Sequence, residues 1–115
     1  MEEQCLFCRI IAGKIPASIV YQDDDVVAIR DIDPQAPTHL LVMPKEHIVS
    51  LIELGPEQRE LTANLIYVAN ELARREGVAE RGYRLAVNCG REGGQAVGHL
   101  HFHLLGGRKM SGKLG

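Results

Sequence analysis

The chain has 115 residues, of which 45% are hydrophobic and 24% charged. This length suits one domain, the composition is too apolar for an intrinsically disordered protein, and no continuous apolar run is long enough to span a membrane. The formal net charge of -2, with basic and acidic residues intermixed, excludes the basic surface typical of proteins that bind polymeric nucleic acid. We expect a single domain over residues 1–115 with a short flexible tail from about residue 108. Because no secretory signal opens the sequence, we expect a cytoplasmic location.

The first half of the chain predicts a short helix and three strands. The helix follows from apolar residues at helical spacing before a break at Gly13 and Pro16. Two β-branched runs on either side of an acidic turn, Asp23 to Asp25, predict an antiparallel hairpin. A continuous apolar run ended by Pro44 predicts a central strand covered on both faces. The segments are residues 6–15 for the helix, 18–21 and 26–29 for the hairpin, and 38–43 for the central strand.

The second half of the chain predicts one long helix and two more strands. Pro56 marks the first helical position, arginines occupy the last turn, and Gly77 ends the helix. Its apolar residues form one face with a period of 3.6. Residues 83–88 and 99–105 predict two strands joined by a glycine-rich loop. The fold class is therefore α+β: a five-stranded antiparallel sheet with one long and one short helix.

Three histidines, His99, His101 and His103, alternate along the last predicted strand. Successive side chains of a strand point to opposite faces, so the three imidazoles share one face at intervals of about 6.5 to 7 Å. Zinc–nitrogen bonds of about 2.0 to 2.1 Å let two neighbours bind one ion but hardly all three, so at least one histidine has another role. The preceding loop, Gly93 to Ala96, can bring backbone N–H groups close to an anion, although it is not a P-loop.

This histidine run and two flanking segments resemble the histidine triad family. The segment from Gly94 to Leu105 is similar to its signature, in which three histidines alternate with apolar residues and two apolar residues follow. Residues 30–39 resemble the ribose-side segment of the branch called histidine triad nucleotide-binding proteins, and residues 105–108 resemble its tail. The resemblance runs from about Cys5 to Met110. It implies a homodimer with sheets joined edge to edge, which binds purine mononucleotides and hydrolyses phosphoramidate or acyl-phosphate linkages without an organic cofactor.

The resemblance also implies roles for individual residues. His101 becomes the nucleophile and forms a nucleotidyl-histidine intermediate, and His39 becomes a second-layer histidine, with a buried structural role as the alternative. Attack by a neutral imidazole requires an acceptor for its other nitrogen, which we expect to be the His99 carbonyl. The implied nucleotide contacts are His103 and Asn88 at the phosphate, Gly94, Gln95 and Ala96 in the loop, Asp31 and Ile32 at the ribose, and Phe7, Ile10, Ile15 and Ile29 around the base. The four apolar residues are equally well explained as core.

Cys5 and Cys8 have the C-x-x-C spacing of half a zinc site, and tetrahedral closure needs two more nitrogen or sulfur ligands. The candidates are His47 and His99, and some bacterial relatives resemble the chain here, holding a structural zinc with such residues. The alternative is two reduced cysteines packed as small apolar residues. A redox pair is disfavoured because no βαβ unit follows, and Cys89 is assigned to the core.

Two departures from the family pattern leave the activity open. Ala96 stands where many relatives carry a serine near the scissile bond, and the last seven residues lack the tryptophan of animal relatives. Three alternatives follow: a zinc-dependent hydrolase with the metal on His101 and His103, an AMP- or GMP-binding regulatory module with little turnover, and a dinucleoside-polyphosphate hydrolase. The zinc-dependent hydrolase is weakened because the last strand offers no carboxylate to complete the metal site or to act as a general base.

Overall fold

The computed structural model describes residues 4–115 and confirms the predicted fold class. Five antiparallel strands form one sheet in the order β1-β2-β3-β5-β4. The elements are α1 (Leu6–Ile11), β1 (Ile19–Gln22), β2 (Val26–Arg30), β3 (Thr38–Pro44), α2 (Arg59–Arg75), β4 (Tyr83–Val87) and β5 (Phe102–Gly106). None of the helices within residues 4–115 has the length and apolarity needed to cross a bilayer.

The sheet separates two apolar clusters, each beneath one helix. Strand β3 is central and all seven of its residues are buried, as its unbroken apolar sequence predicts. Its side chains alternate, so that Leu40 and Val42 join the cluster beneath α2 while Leu41 and Met43 join the cluster that contains α1 residues. His103 lies directly opposite Leu41 in the ladder, so its side chain points to the α1 face.

The long helix starts later than Pro56. Residues Pro56–Gln58 form a 3-10 turn, and the α-helix begins at Arg59. The Gln58 N–H donates to the Gly55 carbonyl at 3.0 Å, and the Gln58 side chain accepts from the Gly55 N–H at 2.8 Å. These two bonds close a turn that is tighter than an α-helical one.

The side chain of Asp23 organises the acidic turn, whereas Asp24 and Asp25 are exposed. Asp23 Oδ1 accepts from the backbone N–H groups of Asp25 and Val26 at 2.7 and 2.8 Å. Its Oδ2 accepts from the Tyr21 hydroxyl at 2.7 Å. Asp23 therefore fixes the connection between β1 and β2.

The last strand begins at Phe102, so the prediction that it starts at His99 was wrong. The ladder between β3 and β5 ends at the pair Val42 and Phe102. Beyond it, Pro44 has no N–H to donate, and the Leu100 N–H bonds instead to the Ile48 carbonyl at 2.7 Å. His99, at the end of a bend over residues 97–99, and His101 thus precede the strand, on a segment that the hydrogen bond from Leu100 to Ile48 holds outside the ladder.

Candidate active site and metal cluster

All five histidines and one phenylalanine form a continuous row of rings on the α1 face of the sheet. The order is His47, His99, Phe7, His101, His103 and His39, with neighbouring centroids 5.2, 5.9, 5.0, 5.1 and 5.2 Å apart. The prediction that the three triad histidines share one side therefore holds, although two of them precede the strand. The row joins a cluster of cysteines and histidines at one end to an aspartate at the other.

His101 has a defined tautomer. Its Nδ1 lies 2.7 Å from the His99 carbonyl, and a carbonyl only accepts, so Nδ1 carries the proton. The neutral ring then has a lone pair on Nε2. Among the described residues no fully buried side-chain nitrogen lacks a partner, and no partner contacts this Nε2, so the atom keeps some accessible surface although His101 is only 6% exposed. The predicted contact between His101 Nδ1 and the His99 carbonyl is confirmed, and in the neutral ring it leaves the lone pair on Nε2.

His103 has the opposite tautomer because of His39. The Gln35 N–H donates to His39 Nδ1 at 3.0 Å, which leaves the proton of the neutral His39 ring on Nε2. This Nε2 lies 3.0 Å from His103 Nδ1, so that nitrogen must be unprotonated to avoid two facing hydrogens. Burial, and then the nearby His101 and His39, lower the pKa of His103 and favour its neutral ring. His103 therefore exposes an Nε2–H donor beside the accessible lone pair of His101.

Asp31 brings a carboxylate to this end of the row, which the last strand does not supply. Its Oδ2 lies 3.3 Å from His39 Nε2, and its Oδ1 accepts from the Asp33 N–H at 2.9 Å. Asp31, His39 and His103 are close enough together to hold a metal ion. However, a metal on His39 Nε2 would require its proton to move to Nδ1, where the Gln35 N–H already points. The contacts favour a hydrogen-bonded relay over a metal centre.

The glycine-rich loop is closed by its own hydrogen bonds. The N–H groups of Gly94 and Gln95 donate to the carbonyls of Arg91 and Gly90, at 3.1 and 3.0 Å. The Gln95 side chain accepts from the Gly90 N–H and donates to the carbonyls of Val49 and Val97. Within residues 4–115 these bonds leave the N–H groups of residues 96, 97 and 98 without an acceptor. The loop thus offers an anion its later amides rather than those of Gly94 and Gln95.

Three further residues predicted to contact a nucleotide are Asn88 and Ala96, at the loop, and Ile32, next to Asp31. The Asn88 Nδ2 makes one long hydrogen bond, 3.4 Å, to the Gly94 carbonyl. Ala96 is exposed, and Ile32 beside Asp31 is 98% exposed. These side chains are accessible to a ligand.

The apolar residues predicted to surround a base form one cluster. Phe7, Ile10 and Ile29 are buried in it, with 4%, 7% and 4% exposure, and Ile15 is half-buried at its edge. Of these four residues, only Ile15 has substantial exposed surface. The other three serve the core, whatever else they do.

Cys5, Cys8, His47 and His99 meet at the far end of the ring row. Cys8 Sγ lies 3.2 Å from His47 Nδ1 and 3.5 Å from His99 Nδ1, and Cys5 Sγ lies 3.4 Å from the same His99 nitrogen. All four candidate ligand atoms lie within 4.8 Å of one another. The structure therefore brings together the four residues predicted from sequence.

The donor set fits zinc. In a tetrahedral site, zinc–sulfur and zinc–nitrogen bonds place sulfur and nitrogen ligands about 3.5 Å apart, which matches the observed separations. His99 Nε2 donates to the Pro44 carbonyl at 2.8 Å, which leaves its Nδ1 lone pair directed at the sulfurs. Burial lowers the pKa of His99 and favours its neutral, ligating form. At His39 the two ring nitrogens have the opposite roles, because Nδ1 accepts from a backbone N–H and Nε2 carries the proton.

Several groups that shape the site could not be identified from sequence. They are backbone groups of Gln35, Pro44 and Ile48. The Arg108 guanidinium also donates to the Gln35 carbonyl at 2.9 Å. The only sequence signal was the resemblance of the segments that contain Gln35 and Arg108.

Known proteins resemble the chain over nearly its whole length. The family model of the HIT domain matches residues 12–110. The purine nucleoside phosphoramidase of Escherichia coli K12 is 49% identical over 110 residues, which cover 96% of this chain and 92% of the relative. The 14 kDa zinc-binding protein of Zea mays is 45% identical, with 92% and 84% covered. The crystal structure of a HIT family hydrolase from Legionella pneumophila has a TM-score of 0.93 and 50% identity, with 95% and 97% covered.

Proposed function

The chain belongs to the HIT domain family, and we propose that it hydrolyses purine nucleoside 5'-phosphoramidates or acyl-nucleotides through a nucleotidyl-His101 intermediate. The similarity to a purine nucleoside phosphoramidase supports the substrate class. The observation that carries the mechanism is the 2.7 Å contact between His101 Nδ1 and the His99 carbonyl. This contact leaves a nucleophilic lone pair on the accessible Nε2.

The phosphate would lie between His101 and the glycine-rich loop. His103 Nε2–H can donate to a phosphate oxygen, because His39 holds the proton of His103 on that nitrogen. Asn88 Nδ2 and the backbone N–H groups from Ala96 to Gly98 supply further donors. Such donors stabilise the negative charge that develops on the oxygens during attack at phosphorus.

The nucleoside would extend from the phosphate toward Asp31. A carboxylate can accept from both ribose hydroxyls, and the exposed Ile32 lies next to it. The base would lie against the α1 face, at the edge where Ile15 is half-buried above Phe7, Ile10 and Ile29. Gly94 and Gln95 would contribute by shaping the loop, because their N–H groups already donate within it.

The reaction divides into two displacements at phosphorus. His101 Nε2 forms a bond to phosphorus as the phosphorus–nitrogen bond of the substrate breaks, and the departing amine takes up a proton from solvent. Water then attacks phosphorus and gives up a proton to solvent, the bond to Nε2 breaks, and the nucleoside monophosphate leaves. Throughout, His101 keeps its Nδ1 proton and donates it in a hydrogen bond to the His99 carbonyl, which stabilises the charge that appears on the ring.

Zinc would be held by Cys5, Cys8, His47 and His99, and would supply a structural cross-link between α1 and the segment before β5. The maize relative, named as a zinc-binding protein, supports this ion. All four ligand positions of such a site are taken by the chain, so it leaves no open position for a substrate.

We include a homodimer joined through β4 in the proposal. The sheet has two edges, β1 and β4. The β1 edge has a register shift between Ile19 and Tyr21, whereas the β4 ladder from Tyr83 to Val87 is regular. A regular, half-buried edge strand presents unpaired backbone groups to a second strand, so β4 is the favoured edge. Sedimentation equilibrium should give twice the chain mass of 12.7 kDa, and a mass of one chain would contradict the dimer.

The covalent step can be tested by trapping. Wild-type protein is mixed briefly with adenosine 5'-phosphoramidate labelled in the phosphate, quenched in base and mapped by peptide mass spectrometry. We expect the label on the peptide containing His101 and its loss in His101→Ala. His103→Ala is the matched control, because it should slow labelling while leaving the labelled position unchanged.

Each alternative function predicts a different result. Tight AMP binding with equal, background turnover in wild type and His101→Ala would favour a regulatory module. Activity abolished by a chelator with no labelled peptide would contradict covalent catalysis and favour a metal-dependent hydrolase. Faster cleavage of diadenosine polyphosphates than of the phosphoramidate would change the substrate class but not the nucleophile.

A further inference from the structure

One peptide plane connects the cysteine–histidine cluster to His101. The plane between His99 and Leu100 is held at both edges. Its carbonyl accepts from His101 Nδ1 at 2.7 Å, and its N–H donates to the Ile48 carbonyl at 2.7 Å. His99 is itself a candidate ligand, and Ile48 directly follows another, His47. The peptide group that fixes the tautomer of His101 is therefore part of one candidate ligand, His99, and is hydrogen-bonded to the residue that follows another, His47.

Phe7 makes a second connection. It lies between Cys5 and Cys8 in the sequence, is 4% exposed, and packs edge-on against both His99 and His101, with centroids 5.9 and 5.0 Å away. Helix α1 has only six residues, and helices this short depend on tertiary anchoring. The position of the Phe7 ring therefore depends on how the two cysteines are held.

We propose that the Cys5, Cys8, His47 and His99 cluster positions the nucleophile: when it holds Zn²⁺, the His99 carbonyl and the Phe7 ring are fixed and orient His101. This inference rests on the proposed function, because it concerns the residue assigned as nucleophile. It makes the four ligands positioning residues that act through the His99 carbonyl and Phe7.

The phosphate contact at His103 and the ribose contact at Asp31 are anchored outside the cluster. The Gln35 N–H donates to His39, His39 in turn contacts His103, and the Asp33 N–H donates to Asp31. The larger apolar cluster beneath α2 contains none of the four ligands. Release of the metal should therefore slow the reaction of His101 while the fold and the affinity for AMP are largely retained.

The test compares full-length protein with and without zinc, prepared by dialysis against 1,10-phenanthroline at constant pH. The first readout is the ¹⁵N spectrum of labelled histidine, which reports the tautomer of His101 without any substrate. The second is the single-turnover rate of label transfer to His101, and the third is the dissociation constant of AMP. Circular dichroism checks the fold, and elemental analysis gives zinc per chain.

We expect the loaded protein to show one Nδ1–H tautomer of His101 and the zinc-free protein an averaged signal. Label transfer should fall about ten-fold, the size expected for losing one orienting hydrogen bond, while AMP affinity changes little. His47→Ala should behave like the zinc-free protein, and His47→Cys, which restores a fourth ligand, should recover both signals. Cys89→Ser is the matched cysteine control and should leave all readouts unchanged.

Two results would overturn the proposal. One is an unchanged His101 spectrum and labelling rate in zinc-free protein. The other is global unfolding without zinc, which would mean that the cluster supports the whole fold. Phe7→Leu gives an independent check at full zinc content: slower labelling supports the ring contact, and an unchanged rate contradicts it. If loaded wild type shows no label on His101, the proposed function fails, whereas the spectral comparison still decides the coupling.

Discussion

The two hydrogen bonds of His39 can be removed one at a time. In His39→Asn, the amide oxygen can occupy the place of Nδ1 and keep the bond from the Gln35 N–H, but the side chain is too short to reach His103. In His39→Gln, the amide nitrogen can occupy the place of Nε2 and donate to His103, while the Gln35 N–H loses its acceptor. The first change acts on the tautomer of His103, and the second acts on the turn.

The expected effects separate activity from stability. One hydrogen bond contributes about 0.5 to 1.5 kcal/mol, so His39→Asn should slow label transfer to His101 by about 2- to 13-fold. His39→Gln should retain most of the rate. Its loss of a bond to the half-exposed turn should lower the melting temperature by about 2 to 6 °C, scaled to a domain of this size. His39→Asn should lower it less.

Single-turnover labelling and thermal unfolding by circular dichroism measure the two quantities. A double-mutant cycle supplies the control: in a His103→Ala background, His39→Asn should cause little further loss of rate, because the group it orients is gone. Equal rates for His39→Asn and wild type, or losses that simply add in the cycle, would refute the relay from Gln35 through His39 to His103.

Three further predictions concern stability and the loop. Gly106→Ala should reduce the free energy of unfolding by about 1 to 3 kcal/mol in denaturant titration, because its Cβ would lie 2.8 Å from the Val78 Cβ. Glu76→Gln should cost less than about 1 kcal/mol at pH 7, since the bidentate pair with Arg30 is partly exposed. The Arg30 hydrogen bond lowers the pKa of Glu76 in the folded state. The stabilisation is therefore fully present above the pKa of Glu76 in the unfolded chain and disappears as the pH falls through the pKa in the folded chain. A stability difference between Glu76→Gln and wild type that persists in acid would contradict this contribution. Ala96→Ser should raise the steady-state rate with adenosine 5'-phosphoramidate by about 2- to 13-fold if a hydroxyl there bonds near the scissile bond, and an unchanged rate would remove that role.

Side-chain periodicity was sufficient to predict most of the fold. The unbroken apolar sequence of β3 identified the central strand, and the two-residue alternation of His99, His101 and His103 identified a shared face. Periodicity failed at the start of β5. The histidine pattern begins at His99, but the strand begins three residues later at Phe102, because Pro44 in the neighbouring strand has no N–H with which to continue the ladder. A pattern of side chains carries no information on the hydrogen-bond capacity of the strand beside it.

The candidate site was predictable in its residues but not in their protonation. His39 and His99 each lie within a group of potential metal ligands, and their side chains are chemically identical. A backbone carbonyl, from Pro44, takes the proton of His99 on Nε2 and leaves Nδ1 as a lone pair for a metal. A backbone N–H, from Gln35, occupies the lone pair of His39 and leaves Nε2 as a proton donor. A backbone acceptor at the second ring nitrogen makes the cluster of His99 suitable for zinc. A backbone donor at the second ring nitrogen of His39 makes that histidine set the position of the His103 proton. Only the folded chain determines which backbone group meets each ring.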